Sequence, residues 1–171
     1  MSELRDGLAG ELALTAEASG ALTSVTARAD ARGTFPDVGD ATLELAAAYR
    51  GDTLTIDTLG LRRLDGPGSV DGTGRLVLAP ELSADADLAW SSLAWPLDSA
   101  AIASPEGRLE VTGRLEDFRT RATFAVRQPD RPLGRWTAEG AGGYSDGRLV
   151  VDDLVARSRG GARLSAVADI A

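Results

Sequence analysis

The sequence predicts an all-β protein made of antiparallel strands. Apolar and polar residues alternate with a period of two along nearly every segment, and Gly, Pro or Asp turn signals separate the segments. The one helix-tolerant stretch, residues 98–103, is too short to form a stable helix alone. We therefore expect about eleven strands and no helix.

A long internal repeat supports this prediction. Residues 49–62, with the sequence YRGDTLTIDTLGLR, recur 95 positions later as residues 144–157, YSDGRLVVDDLVAR. Residues 10–14 likewise match residues 107–111 at a separation of 97 positions. Repeats of this length are typical of stacked or elongated architectures.

The repeat divides the chain into two predicted units, residues 1–103 with a connecting segment near 90–103, and residues 104–171. The apolar positions of the strands in the first unit are, in order, Leu12 and Leu14; Val25, Ala27, Ala29 and Ala31; Leu43, Leu45, Ala47 and Tyr49; Leu54 and Ile56; Leu76 and Leu78; and Leu82, Ala84, Ala86, Leu88 and Trp90. Those of the second unit are Leu109, Val111, Gly113 and Leu115; Ala122, Phe124 and Val126; Trp136, Ala138, Gly140, Gly142 and Tyr144; Leu149 and Val151; and Leu164, Ala166, Ala168 and Ile170.

The repeated strand changes parity within its length. Ile56 is even-numbered and Leu59 is odd-numbered, so a regular strand would place them on opposite faces, and the second copy makes the same switch. One extra residue in a β-bulge would return the leucines to a common face. We predict a bulge near Asp57 and another near Asp152.

Composition excludes several classes of function. The net charge is −8, with a sequence pI of about 4.6 and no run of basic residues, which argues against nucleic-acid binding. The chain has no His and no Cys, which removes the usual catalytic triads and the usual ligands of zinc, haem and iron–sulfur clusters. We expect no enzyme, no cofactor and no metal site. No apolar run reaches the roughly 20 residues that span a bilayer, and the N-terminal residues lack the pattern of a signal peptide.

The acidic residues that invite a chemical role have simpler explanations. Asp57 and Asp152 fit a turn or bulge, where a carboxylate bonds local amides, better than a catalytic pair. Asp85 and Asp87 lack the further oxygen ligands that Ca²⁺ requires, so we expect a solvated polar face. Residues 71–74, DGTG, lack the Lys and the following helix of a phosphate loop, and we predict a turn there.

One face of the predicted strands is apolar and the other is polar. Antiparallel sheets have this pattern when one face is covered and the other is in water. Without helices, the cover is a second sheet, the same sheet curled on itself, or a ligand. The polar face contains Glu44, Asp85, Asp87, Arg108, Glu110, Arg119 and Arg121.

An aromatic segment between the two units is the most specific motif. Residues 88–97 read LAWSSLAWPL, and residues 104–118 read SPEGRLEVTGRLEDF. Together they resemble the TamB family of bacterial envelope proteins, which repeat a W-x-x-L-x-W-P-L segment followed by G-x-L-x-V-x-G and an acidic-aromatic turn. The surrounding Gly-Arg-Leu strands and Asp-Gly turns agree along essentially the whole chain.

The resemblance implies a fold and a location. TamB proteins are related to AsmA-like proteins and to bridge-like lipid transfer proteins, and they form long U-shaped sheets, or β-tacos, with an apolar concave face. They are anchored in the inner membrane of Gram-negative bacteria and cross the periplasm. They act in phospholipid movement to the outer membrane and, with an Omp85-type barrel partner, in outer-membrane protein assembly. The family's anchor and partner-binding segments are not recognisable in this chain.

We therefore predict an elongated, curled antiparallel sheet whose apolar face holds phospholipid acyl chains. The predicted groove residues are Leu45, Ile56, Leu88, Leu109, Val111, Phe124, Trp136 and Val151. The predicted segment crossing the groove mouth contains Trp90, Leu93, Trp95 and Pro96, because a proline cannot donate a ladder hydrogen bond. A scaffold that adds client strands to its sheet edges, and a structural solenoid or sandwich packed on itself, remain alternatives. The open ends of the sheet also leave end-to-end self-association possible.

Overall fold

The computed structural model describes residues 12–21, 23–35, 39–95, 102–128, 131–145 and 148–170. These residues form eleven strands: β1 (Leu12–Ala21), β2 (Ser24–Phe35), β3 (Gly39–Arg50), β4 (Thr53–Arg63), β5 (Ser69–Val77), β6 (Ser83–Trp95), β7 (Ile102–Arg114), β8 (Asp117–Gln128), β9 (Arg131–Ser145), β10 (Arg148–Ser158) and β11 (Arg163–Ile170). The all-β prediction is confirmed.

All these strands belong to one sheet, in the order of the chain. Each strand pairs antiparallel with the next, and β1 and β11 are the two edges of the described sheet. The sheet is therefore open and elongated, as expected for a curled antiparallel sheet. No helix in the described ranges is long and apolar enough to cross a membrane.

The strand register gathers the apolar residues into four rows on one face. Residues that pair directly across a ladder point to the same side of the sheet. The first row is Leu14, Ala31, Leu43, Leu61, Val70, Trp90, Gly107, Phe124 and Trp136, and it ends on β10 at the polar Ser158. The second is Ala16, Ala29, Leu45, Leu59, Gly72, Leu88, Leu109, Ala122, Ala138, Ala156 and Leu164.

The other two rows follow the same strands toward their opposite ends. The third row is Ala18, Ala27, Ala47, Ile56, Gly74, Ala86, Val111, Thr120, Gly140, Leu154 and Ala166. The fourth is Gly20, Val25, Tyr49, Leu54, Leu76, Ala84, Gly113, Phe118, Gly142, Val151 and Ala168. We call the four rows the apolar band, and the opposite side of the sheet the polar face.

Both predicted bulges are present. In β4, Ile56 pairs with Ala47 and Thr58 pairs with Ala46, so Asp57 has no partner on β3. In β10, Val151 pairs with Gly142 and Asp153 with Ala141, which leaves Asp152 in the same position, 95 residues later. The extra residue in each strand keeps its leucines on the apolar band.

The repeated hairpins therefore have the same internal register. Tyr49 pairs with Leu54 beside the turn of the first hairpin, and Tyr144 pairs with Leu149 in the second. Tyr144 is the more exposed tyrosine, at 41%. It lies two residues past Gly142, which pairs with Phe118 near the start of β8, so the β8 ladder ends before it reaches Tyr144. The two predicted units are parts of one sheet, since β6 and β7 pair from Ser83–Arg114 to Trp95–Ile102.

The prediction of a turn at residues 71–74 is wrong, because these residues lie inside β5. The turn before β5 is at residues 64–67 instead. Gly72 lies directly beneath its neighbour, since an added Cβ would clash with the Leu88 side chain unless that side chain moved, and would lie 3.1 Å from the carbonyl oxygen of Asp87. Gly72 leaves room for the leucines of the adjacent strands, which is a packing role and not a turn role.

The sheet has a single layer in the described part of the chain. Ala41, Ala103 and Val155 are its only buried apolar residues, and none of its large side chains is fully buried. Most band residues are half-buried, because their neighbours within the sheet cover their flanks and leave their ends open.

Deleting Asp57 tests whether the number of residues in the bulge aligns the apolar band. Without the extra residue, one half of β4 must turn its leucines to the polar face, and we expect a loss of about 2–4 kcal/mol in the free energy of unfolding. The Asp57→Ala variant keeps the residue count and should lose less than about 1 kcal/mol. Urea unfolding of both variants is the measurement, and equal losses would contradict the alignment role.

Candidate apolar groove and polar reverse face

The apolar band contains all eight predicted groove residues. Phe124 and Trp136 lie in the first row, and Val151 lies in the fourth. Leu45, Leu88 and Leu109 lie in the second row, and Ile56 and Val111 lie in the third. Their role in holding acyl chains stays a prediction, but their common face follows from the register.

No charged side chain interrupts the apolar band across the eleven described strands. Its one polar side chain within the third row is that of Thr120, whose hydroxyl donates a 3.5 Å hydrogen bond to the carbonyl oxygen of Gly140. The largest exposures among the band leucines are at the edges, 62% for Leu14 and 63% for Leu164. The centre of the band is therefore a continuous, partly covered apolar surface.

An aromatic cluster lies in the first row around Gly107. The indole of Trp90 covers this glycine, since a Cβ added there would lie 2.1 Å from Trp90 Cζ2. The rings of Trp90 and Phe124 are 6.4 Å apart between centroids, although β7 separates their strands. Both side chains therefore lean toward each other over Gly107, and Phe124 pairs directly with Trp136.

The polar atoms of the two indoles are satisfied at the margin of the apolar band. Trp90 Nε1 donates to Ser104 Oγ at 2.8 Å, and Trp136 Nε1 donates to the carbonyl oxygen of Leu133 at 3.3 Å. Tryptophan suits such a margin, because its ring is apolar and its N–H needs a partner. The first row thus forms the margin of the apolar band, where the indole N–H groups meet polar partners.

The predicted crossing segment falls largely within a strand. Trp90 is a central strand residue, paired with Val70 on one side and Gly107 on the other, so its assignment to a crossing segment is wrong. Leu93 and Trp95 also belong to β6, but they pair only with β7, at Ser104 and Ile102. Pro96 lies outside the described residues, so a crossing beyond Trp95 stays a prediction.

Sequence inspection missed several members of the apolar band. Val70, Gly72 and Gly74 were not assigned to a strand face, although they continue the alternation that ends at Leu76. The signal was present as a period of two, but two of its positions are glycines. Their absent side chains hid the pattern.

The polar face has exposed ion pairs between neighbouring strands. Arg108 on β7 donates to both carboxylate oxygens of Asp87 on β6, with Nε 2.8 Å from Oδ2. These bonds raise the pKa of the Arg108 guanidinium above its usual value, with a smaller contribution from Glu110. Because the pairs are exposed to solvent, they contribute little to the stability of the sheet.

The carboxylates considered for catalysis or metal binding lie at exposed bulges or in an ion pair. Asp57 and Asp152 are exposed at the bulges, and Asp87 is engaged by Arg108. The described residues contain no group of three side chains that could hold a metal ion.

Three comparisons with known proteins were made with the whole chain. None of them, whether with protein-family models, curated proteins or solved structures, gives a match.

Substitution of Gly107 tests the packing of the aromatic cluster. The Gly107→Ala variant places a methyl group inside the Trp90 ring, so the indole must move and lose its bond to Ser104. We expect a loss of about 1–3 kcal/mol in the free energy of unfolding and tryptophan emission at longer wavelength. The control is Gly60→Ala on the polar face, where the nearest atoms are 3.8 Å from the added Cβ. An unchanged emission spectrum in Gly107→Ala would contradict this packing.

Proposed function

We propose that this chain is a non-enzymatic lipid conduit that holds phospholipid acyl chains against its apolar band. In keeping with the resemblance to the TamB family, we place it in a periplasmic bridge between the inner and outer membranes. The observation that supports the proposal is the uninterrupted, charge-free band on one face of a single-layer sheet. Monomeric proteins rarely leave so large an apolar surface without a partner.

The dimensions of the apolar band suit an acyl chain. Four rows span three intervals of two residues, or about 20 Å, and eleven strands span about 48 Å. One leaflet of a bilayer core is about 15 Å thick, so the band is wide enough to cover an acyl chain in any orientation. Each buried CH₂ contributes about 0.8 kcal/mol.

The composition of the apolar band favours movement along it. Alanine and glycine occupy much of the second, third and fourth rows, for example Ala86, Ala138, Gly140 and Gly142. Small side chains leave space above the sheet, and neighbouring positions offer similar contacts. An acyl chain can therefore slide along the band with little change in free energy.

The two alternatives use other features of the sheet. A self-packed sandwich needs a second layer, and the described strands form one layer. Addition of client strands needs open edges, and the exposures of Leu164 at 63% and Val167 at 76% on β11 favour it as the second candidate. Val111 lies at the centre of the sheet, away from the edge strands. Acyl binding therefore depends on this residue, whereas edge pairing does not.

Substitution of Val111 separates these functions. The Val111→Asp variant puts a charge into the third row, where it lacks a partner and blocks the path of an acyl chain. We expect crosslinking to a photoreactive phospholipid, measured with the purified protein, to fall by about tenfold or more, equivalent to 1.4 kcal/mol or more.

The matched controls are Thr112→Asp and Glu110→Asp, on the polar face one residue away. Their crosslinking should stay within about twofold of the unaltered protein, with folding of all three variants checked by circular dichroism. Equal losses at positions 110, 111 and 112 would remove the support for a groove. Unchanged crosslinking in Val111→Asp, together with lost client binding after substitutions in β11, would favour the edge-pairing function.

A second measurement places the acyl chain directly. In a variant carrying Trp90→Phe and Trp95→Phe, Trp136 is the remaining tryptophan of the three in the chain. Trp136 lies in the first row of the apolar band, so an acyl chain bound there would be in van der Waals contact with its indole. Phospholipids brominated on their acyl chains should therefore quench its emission by roughly half or more at saturation. Unbrominated phospholipid is the control, and equal emission with both lipids would contradict contact at this row.

A further inference from the structure

Charge is divided unevenly between the two repeat units. Residues 1–103 contain seven arginines against sixteen acidic residues, a net charge of −9, whereas residues 104–171 contain eleven against ten, a net charge of +1. Every basic residue in the chain is arginine, since the sequence has no lysine. Arginine is the residue best suited to bind planar or tetrahedral oxyanions through paired hydrogen bonds.

The polar face has a shallow cavity at the corresponding place in each unit. The first has a volume of about 350 Å³, and its lining includes Thr42, Glu44 and Arg62. The second has a volume of about 390 Å³ and is lined by Thr123, Arg135, Thr137, Glu139, Arg157, Ser158 and Arg159. Thr137, Glu139 and Arg157 are the equivalents of Thr42, Glu44 and Arg62 at the repeat distance of 95 residues.

The two cavities differ in the charges added to this shared frame. The first cavity has two arginines, Arg32 opposite Thr42 and Arg62, against Asp30 and Glu44, which lie opposite each other. Arg62 also lies 3.7 Å from Asp71. At the positions equivalent to Asp40 and Leu64, the second unit has Arg135 and Arg159. The cavity of the second unit, which we call the arginine cavity, therefore has three arginines and one carboxylate, that of Glu139, in its lining. Arg135 is also paired with Glu106, which lies outside the lining.

A fourth arginine, Arg163, lies beside the arginine cavity. Its charge makes the cavity less favourable without a bound anion. Thr123, Thr137, Arg157 and Arg163 form one straight row across four strands, with Arg157 directly opposite Arg163. Like charges at directly opposed positions repel, with their Cβ atoms about 5 Å apart. Glu139 offsets this only in part, because it lies 3.9 Å from Arg157 and is shared with Arg121 at 3.3 Å.

We propose that the arginine cavity binds a phosphate group. Arg157 and Arg163 would provide paired guanidinium donors, Arg159 and Arg135 would close the rim, and the Thr123 and Thr137 hydroxyls would lie beneath the anion. A tetrahedral dianion has enough acceptor oxygens for donors on several sides, which a single carboxylate lacks. The phosphate comes either from a phospholipid headgroup or from a free phosphate. The site is on the opposite face from the apolar band and does not depend on the acyl-chain proposal.

A charge-matched pair of variants tests this site. One variant combines Arg157→Gln, Arg159→Gln and Arg163→Gln, and the control combines Arg28→Gln, Arg32→Gln and Arg75→Gln on the polar face of the first unit. Both lose three positive charges, and circular dichroism checks that both fold. Isothermal titration with inorganic phosphate should show saturable binding to the unaltered protein, at least about tenfold weaker binding to the first variant and a change within about twofold in the control.

The source of the phosphate is decided by a second arm with vesicles of phosphatidylglycerol. Vesicle binding that is displaced by inorganic phosphate and lost in the first variant supports a headgroup ligand. Phosphate binding without vesicle binding supports the same site with a free phosphate as its ligand. Absence of saturable phosphate binding, or equal weakening in both variants, would overturn the proposal.

Discussion

The structure depends on one constraint, which is that every strand must present its apolar positions to the same face. In a pleated sheet this requires strict alternation of apolar and polar residues. A single inserted residue would turn all later side chains of that strand to the opposite face. The chain meets the constraint across eleven described strands and corrects it twice, at Asp57 and Asp152, with one unpaired residue each. A bulge also bends and twists its strand. The two bulges that align the band therefore also bend the sheet at two places that are 95 residues apart in the chain.

A single-layer sheet obtains its stability differently from a globular domain. Cross-strand contacts within each face contribute roughly 0.2–1 kcal/mol per pair, and they are spread over the whole sheet because the described residues have no fully buried large side chain. The exposed band is then both a source of stability within its rows and an unfavourable surface toward water. A ligand that covers the band removes the second effect without disturbing the first, which is why an acyl chain and an open sheet are compatible.

How far the sequence predicts this structure differs from feature to feature. Alternation and parity were enough to predict the strands, the common face of the eight groove residues and both bulges, because each is a local property of the chain. The segment around Gly72 was misjudged, since its turn-like composition serves Leu88 on the next strand. Trp90 was misplaced because the nearby Pro96 suggested an interruption, whereas the strand continues to Trp95. The arginine cavity was invisible, because Arg135, Arg157 and Arg163 are far apart in sequence and only the register of β9, β10 and β11 brings them together.

The internal repeat provides a comparison that a single domain would not. Where the two units agree, as at the bulges, the hairpin tyrosines and the Thr–Glu–Arg frame of the cavities, the shared residues follow from building the same sheet twice. Where the units differ, the difference is concentrated in charge, with Asp40 and Leu64 in one unit against Arg135 and Arg159 in the other. The shared Thr–Glu–Arg frame alone therefore does not make a cavity cationic. Since the pleat separates the two faces by one residue, the second unit can hold this charge on the polar face without placing a charge in the apolar band.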